Sequence, residues 1–358
     1  MPSHEYSRQC EPAFSSGWVR PSEPADGPAI LALLWKVGLQ PQATPEYLHW
    51  KYWQERADWP GSRSYVLTDG RELLAHVGVV PVCSVSQSGR VRMASMVDWA
   101  ADPRQVGAGV RVMKHVATLT DALLAIGAST IARRVMPHMG YQPHGFVTSF
   151  VRPFSLTRSL REATDPSWKR VPRLARRAFW TLTAPRAVND GWQAHPLLRS
   201  ELRRIDSVLP EGRGGLSVSE RSACQLNYML DCPAARMQVY ALEQESRLRG
   251  YFVLAFVPGQ ARLVDAWVAS EAESDWRSMV QCAVREAKRE EEVAEVAAWA
   301  SDPVLSNVLQ RAGFHPRWTT PILVRAADLE RLPKMPLRVH MLDSDVAHLH
   351  DGRRTLWS

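Results

Sequence analysis

Arg104, Gly107 and Gly109 stand in the order Arg-x-x-Gly-x-Gly. They follow an extended run, Met96-Val97-Asp98-Trp99-Ala100-Ala101, and a turn at Asp102-Pro103. Beyond them, Val112, Met113, Val116, Leu119, Leu123 and Leu124 recur at helical spacing, with Gly127 placed to end the helix. A strand that hands a glycine-rich turn to a helix N-terminus builds an anion site. The first N–H groups of a helix have no acceptor within it, and the helix dipole adds positive potential there. Glycine lets the main chain approach a phosphate with no Cβ in the way. An ordinary strand–helix turn has the same residues, so the surrounding elements must decide.

Those elements occur twice. Gly140-Tyr141-Gln142-Pro143 aligns with Gly313-Phe314-His315-Pro316, and in the same register Val151-Arg152 falls on Val324-Arg325. Upstream, Ser64–Leu67 matches Val239–Leu242, and apolar runs follow at Leu73–Val80 and Leu248–Val257. Met96-Val97-Asp98 matches Leu263-Val264-Asp265, and Tyr52 and Tyr228 precede the first matched strands at similar distances. A helix follows each middle match, the second with Trp276, Met279, Val280, Ala283 and Ala287 on one face. Matches in one order along the chain indicate an internal repeat. Each copy reads as one or two helices, a hairpin, a strand ending in the turn, a long helix, a strand, a short helix and a closing strand. Ser129–Val135 and Val293–Trp299 read as the strands after the long helices.

This order, the glycine turn and the closing Gly-Tyr or Gly-Phe corner resemble the GCN5-related N-acetyltransferases (GNATs). The resemblance implies an α/β fold of two tandem GNAT-like domains, each a mixed, mostly antiparallel sheet flanked by helices. The implied organisation is a mobile segment at 1–16, a first domain at 17–153, a basic helical linker at 154–191, a second domain at 192–326 and a tail at 327–358. It further implies that Trp99, Ala100, Ala101, Arg104, Gln105, Val106, Gly107, Ala108, Gly109 and Val110 hold acetyl-CoA or another acyl-CoA. A backbone N–H within Trp99–Ala101 would then face the developing oxyanion, and Asp98 would be the candidate proton acceptor. Asp265 holds the same place in the second copy, which favours a structural aspartate at a strand bulge.

Two departures bear on that reading. The family's acid is often a Tyr four residues before the corner, and here that position is Met136 or Leu309. Tyr141 and His138 are near but match no family position, and read as a packed aromatic and a surface histidine. In the second copy Ala269–Asp275 replaces the glycine turn with Glu271, Glu273 and Asp275, which would repel a pyrophosphate. One acyl-CoA site, in the first copy, is therefore expected.

Bulk properties agree with two ordinary cores. The chain has 358 residues, 45% hydrophobic and 23% charged. No apolar stretch approaches the ~20 residues of a membrane span, and His4, Glu5 and Arg8 argue against a secretory signal. Five cysteines (Cys10, Cys83, Cys224, Cys232, Cys282) with no Cys-x-x-Cys pair point to a reducing, cytoplasmic setting. Most of the formal +7 charge sits between Arg152 and Asp190, where nine basic residues (Arg152, Arg158, Arg161, Lys169, Arg170, Arg173, Arg176, Arg177, Arg186) oppose Glu162, Asp165 and Asp190. A basic amphipathic helix through Arg173–Leu182, with Leu174, Ala178, Phe179 and Leu182 apolar, reads first as a helix packed across the two copies. Its functional readings are a docking patch for an acidic acceptor, a peripheral contact with an anionic membrane, or nucleic acid, the last without a recognisable binding fold.

His348, His350, Asp351, Asp343 and Asp345 fit no metal spacing and read as a polar tail, so no metal is expected. Trp50, Lys51, Tyr52, Trp53 and Trp59 read as core more readily than as an acceptor pocket. The reading that follows is an acyl-CoA-dependent N-acetyltransferase acting on an amine or hydroxyl of a small molecule or sugar precursor. Two rivals are a tRNA-dependent aminoacyl transferase of tandem type and a non-enzymatic acyl-CoA sensor. Oligomeric state is not encoded legibly.

Overall fold

The computed structural model describes residues 17–155, 167–185, 190–212, 215–326, 336–350 and 356–357, and for 167–170 the backbone alone. Residues 1–16, the linker stretches 156–166 and 186–189, and 327–335 and 351–355, with Asp351, lie outside the described residues.

The fold is α/β, a mixed sheet flanked by helices. The chain enters through β1 (Trp18–Pro21), α1 (Gly27–Lys36) and α2 (Pro45–Leu48), which runs into a π-helical turn at His49–Trp53. A meander follows: β2 (Ser64–Thr68), β3 (Leu73–Ser86) and β4 (Gly89–Ala101). Next come α3 (Ala108–Val116), β5 (Ala122–Ile126), α4 (Thr130–Val135) and β6 (Gln142–Pro153). Helix α5 (Ser167–Thr183) leads to β7 (Trp192–Pro196), β8 (Ser217–Ser219) and α6 (Ala223–Met229). The remainder repeats the first order: β9 (Arg236–Gln244), β10 (Arg247–Val257), β11 (Gln260–Val268), α7 (Glu273–Arg289), β12 (Glu295–Ala300), α8 (Pro303–Arg311) and β13 (His315–Ala326). A short β14 (Leu337–Arg338) pairs with β8.

Two features differ from the sequence reading. The first long helix stops at Val116, and Leu123 and Leu124 belong to β5. Ser129–Val135 is not a strand: Ser129 caps α4, its side chain accepting from the Ala132 N–H. A short apolar run such as Ala122–Ile126 fits a buried strand as well as a buried helix, and periodicity alone does not separate them. The second difference is topological. The central strand order is β4-β5-β13-β6-β12-β11, so the closing strands are exchanged. Strand β6 lies antiparallel to β12 and β13 lies antiparallel to β5, and the two closing strands pair with each other. Both halves thereby share one continuous sheet, and the larger core cluster draws side chains from both.

The described part of 327–358 is no peripheral tail. Asp343, Asp345, Met341, Leu342 and His348 are buried. His348 contacts the Tyr47 hydroxyl through Nδ1 at 3.1 Å and meets the Trp50 ring edge-on. Their alternating polar spacing resembles an exposed tail in sequence because the ionic partners lie hundreds of residues upstream.

Candidate active site

Strand β4 runs parallel to β5 only from Met93 to Ser95, then diverges from it. A cavity of about 640 Å³ lies where they part. Met96, Asp98 and Trp99 from β4 border it, with Ala125–Ser129 after β5, Trp299 and Trp318 from β12 and β13, and Asp345, Leu349 and Trp357 near the C-terminus. Divergence comes with a bulge. Gly78 of β3 faces Val97 and His76 faces Ala100, so Asp98 and Trp99 oppose Val77 alone, and Asp98 takes a left-handed φ of 49°.

Asp98 is held from three sides. Its carboxylate accepts from Lys51 Nζ at 2.5 Å and from the Tyr52 hydroxyl at 2.6 Å, while its carbonyl contacts His76 Nδ1 at 2.9 Å. Burial would raise its pKa, but the Lys51 charge and the hydrogen bonds from Lys51 and Tyr52 outweigh that and leave it lowered. The wide π turn brings the adjacent Lys51 and Tyr52 to one carboxylate, and its carbonyls are capped by buried Arg63, which reaches Trp50, Lys51 and Gln54. Gly78 makes room for Tyr52, since a Cβ there would lie 2.8 Å from the ring. The other ring nitrogen of His76 accepts from Ser64, which accepts in turn from Ser22. The aromatic cluster is accordingly core: Trp50, Tyr52 and Trp59 are buried and none borders the cavity.

Lys51 has a second carboxylate partner, Asp345, at 2.9 Å. Both aspartates border the cavity. In the sequence Lys51 reads with the aromatic core cluster and Asp345 with a polar tail, and the structure brings them together; the adjacent Lys-Tyr pair and the Asp-x-Asp spacing are the signals that point to this site. Trp299 was missed as well: its Nε1 is buried without a hydrogen-bond partner, and its ring borders the cavity.

The glycine turn has the expected local form. Gly107 is the N-cap of α3 with φ 80°, a conformation that costs a side-chain-bearing residue energy. Gly109 has another use, because a Cβ there would lie 3.1 Å from Trp99 Nε1 and 3.2 Å from Ala101 Cβ. Trp99 Nε1 donates to the Gly109 carbonyl at 3.1 Å, which joins the turn to the cavity wall. Arg104 is held in the turn by Asp102 at 2.7 Å, and Asp102 also accepts from Lys36. Val106 is exposed, and Ala108, the first residue of α3, is buried. Ala100 and Ala101 lie in register with His76 and Ala75. Gln105 lies in the turn and Val110 in the first turn of α3, both half-buried. Met136 is buried at the cavity wall, Tyr141 is packed with its hydroxyl on Met96 Sδ, and His138 is exposed.

The second half repeats the bulge and closes the cleft. Asp265 follows the irregularity at Val264, accepts from Arg221 at 3.1 Å and from the Tyr251 hydroxyl at 2.7 Å, and Arg221 also meets Asp343 at 2.9 Å. Arg221 thus stands where Lys51 stands in the first half. Tyr228 is not the counterpart of Tyr52, since it stacks on Trp50 and bonds Arg63 across the halves. Beyond the point where β11 and β12 part, Leu337–Val339 bond to Ser301, and Arg338 binds Asp302 while lying over Trp276. Chain fills the space that stays open in the first half, and Glu273 and Asp275 begin α7.

The fold matches solved structures across most of the chain. A probable N-acyltransferase from Enterococcus faecalis V583 superposes with a TM-score of 0.57 at 13% identity, covering 88% of this chain and 73% of that one. A GCN5-related N-acetyltransferase from Anabaena variabilis gives 0.55 at 12% identity, covering 87% and 73%. The chain has the GCN5-related N-acetyltransferase fold. Saccharomyces cerevisiae N-myristoyltransferase, solved with myristoyl-CoA, shares the architecture at a TM-score of 0.56 and 12% identity, over 89% of this chain and 81% of that one. No protein-family model and no curated protein matches the sequence. Of the residues expected to hold the cofactor, Trp99 borders this cavity, whereas Arg104 borders a separate pocket with Lys36, Glu72 and Asp102. Among the described residues no helix is long and apolar enough to cross a membrane.

Proposed function

We propose that this protein is an acyl-CoA-dependent acyltransferase with one acyl-CoA site, in its first half. The observation that carries the reading is the opening of β4 from β5 onto a cavity bordered by Trp99, whose indole bonds Gly109 of the turn, while Leu337–Val339 bonds to Ser301 at the corresponding place in the second half. Backbone N–H groups at the start of α3, with Arg104, would hold the pyrophosphate. The Trp99–Ala101 backbone would face the thioester oxygen. The structures solved as acyltransferases with this fold support the class of reaction.

Acyl transfer needs a proton acceptor for the incoming amine or hydroxyl. Asp98 is a poor one, because Lys51 and Tyr52 already occupy it and hold its proton affinity down. Asp98 and Asp345 share the one ammonium of Lys51, and Arg262, also on the cavity wall, is held by Gln260 and two backbone carbonyls. We assign Asp345 the task of accepting the proton of the incoming amine, with Asp98 as its positioning partner across Lys51. Asp345→Asn should reduce acetyl transfer by about tenfold or more while acetyl-CoA affinity is kept. Unchanged turnover with a responsive amine removes Asp345 from the reaction. Acetyl-CoA binding with no turnover across amines and alcohols would favour a sensor.

A further inference from the structure

Helix α5 is docked with its faces reversed. Toward the sheet it turns Arg177, which is buried, and Trp180, which stacks on His315 of β13 with ring centroids 4.1 Å apart. Arg176 and Arg317 lie over the same indole at 5.1 and 5.7 Å. Away from the sheet it turns Val171, Ala175, Phe179 and Leu182, whose spacing of four, four and three places them on one helical face. Val171 is 71% exposed, Phe179 63% and Leu182 82%. A helix of a water-soluble fold ordinarily buries such a stripe, and contiguous exposed apolar surface marks a contact site.

Charge narrows what can cover it. Arg173, Arg176 and Arg177 share the helix, Arg317 lies beneath it, and the segment from Arg152 to Asp190 has nine bases to three acids. Arg176 holds its proton less firmly than usual, first through burial and then through Arg317 and Arg173, and burial has the same effect on Arg317 despite the opposing pull of Glu295. A second copy docked through the same face in two-fold contact would bring these positive fields together, which opposes association. An anionic bilayer does the reverse. Apolar residues on one side of a helix and arginines on the other and at its flank are the arrangement of an interfacial helix, whose apolar face enters the headgroup–acyl boundary.

We propose that α5 docks the protein on the surface of anionic lipid membranes, with Val171, Phe179 and Leu182 inserted and Arg173 and Arg176 at headgroup depth. The inference is independent of the acyl-CoA reading. Its test is co-sedimentation of the full chain with phosphatidylcholine vesicles, with and without about 30% phosphatidylserine, at low and raised salt. Binding should require phosphatidylserine and fall with salt, and Phe179→Glu with Leu182→Glu should weaken it by about tenfold or more. Both residues are exposed, so the double variant should keep its melting temperature and acetyl-CoA affinity. Arg173→Gln should weaken binding less and flatten the salt dependence. No binding to the anionic vesicles, or equal binding by the double variant, overturns the proposal. So does a concentration-dependent dimer that the double variant abolishes without any vesicle binding, because the face would then belong to a second copy.

Discussion

Lys51 and Asp345 are 294 positions apart in sequence, yet their side chains meet at 2.9 Å behind the wall of the cavity where β4 leaves β5, which Asp345 borders. The same ammonium holds Asp98 at 2.5 Å. One buried cation therefore ties the strand bulge of the first half to the C-terminal segment, and Arg221 does the equivalent with Asp265 and Asp343 in the second.

Removing that cation should be costly. Lys51→Met leaves two carboxylates close together with no counter-charge, and breaking a buried pair by deleting one partner typically costs ~3–5 kcal/mol. Chemical denaturation should show a loss of that order, with the C-terminal segment more open to protease. A loss within ~0.5 kcal/mol of zero would mean that water already screens the cluster.

Asp98→Asn and Asp265→Asn form a matched pair. Each removes a buried, ion-paired carboxylate beside a bulge, so both should lower stability, by roughly 2–4 kcal/mol. Only Asp98 borders the open cavity, so acyl transfer should fall further in that variant than its stability loss explains. Equal effects on turnover would place Asp98 among purely architectural residues.

Gly107→Glu tests the turn. The new side chain meets a φ of 80° and adds a carboxylate where a pyrophosphate would sit. Acetyl-CoA affinity should fall by about tenfold or more, which is on the order of 1.4 kcal/mol. Calorimetric titration of the wild-type chain should also find one acetyl-CoA per chain. Two equivalent sites would contradict the filling of the second cleft.

Stability should fall on mild acidification. Burial holds His76 at about 4, pushes His348 well below 6.5, and lowers His340. A histidine kept neutral in the folded state binds fewer protons than the unfolded chain between its folded pKa and about 6.5, so its contribution is whole above that pH and is lost as pH falls toward 4. Asp98 and Asp265, both lowered from 3.8, contribute above that value and lose their share only below it. Melting temperature should thus drop between about pH 7.5 and about pH 5, where the aspartates stay silent. A flat profile in wild type, or an unchanged slope in His348→Phe, would disprove the assignment.

Local patterns in the sequence determined the glycine turn, the order of elements in each half, the paired aspartates at Asp98 and Asp265 and the basic helix. Each rests on short-range rules: helical or strand periodicity, positive φ at glycine, and charge along one segment. The acidic start of α7 was also legible. Other properties were decided by tertiary structure alone. Exchange of β6 and β13 cannot be read from either strand, because the edge a strand pairs with is set by long-range packing. The same holds for Lys51, whose partners come from β4 and from the C-terminal segment, and for Asp345, which reads as exposed until Lys51 is placed against it. Leu123 and Leu124 looked helical because a five-residue buried strand has apolar residues on both faces. Even the basic helix, visible as an element, did not reveal which face would be turned outward. That choice lies with Trp180 and His315, whose stacking presents Phe179 and Leu182 to the surroundings.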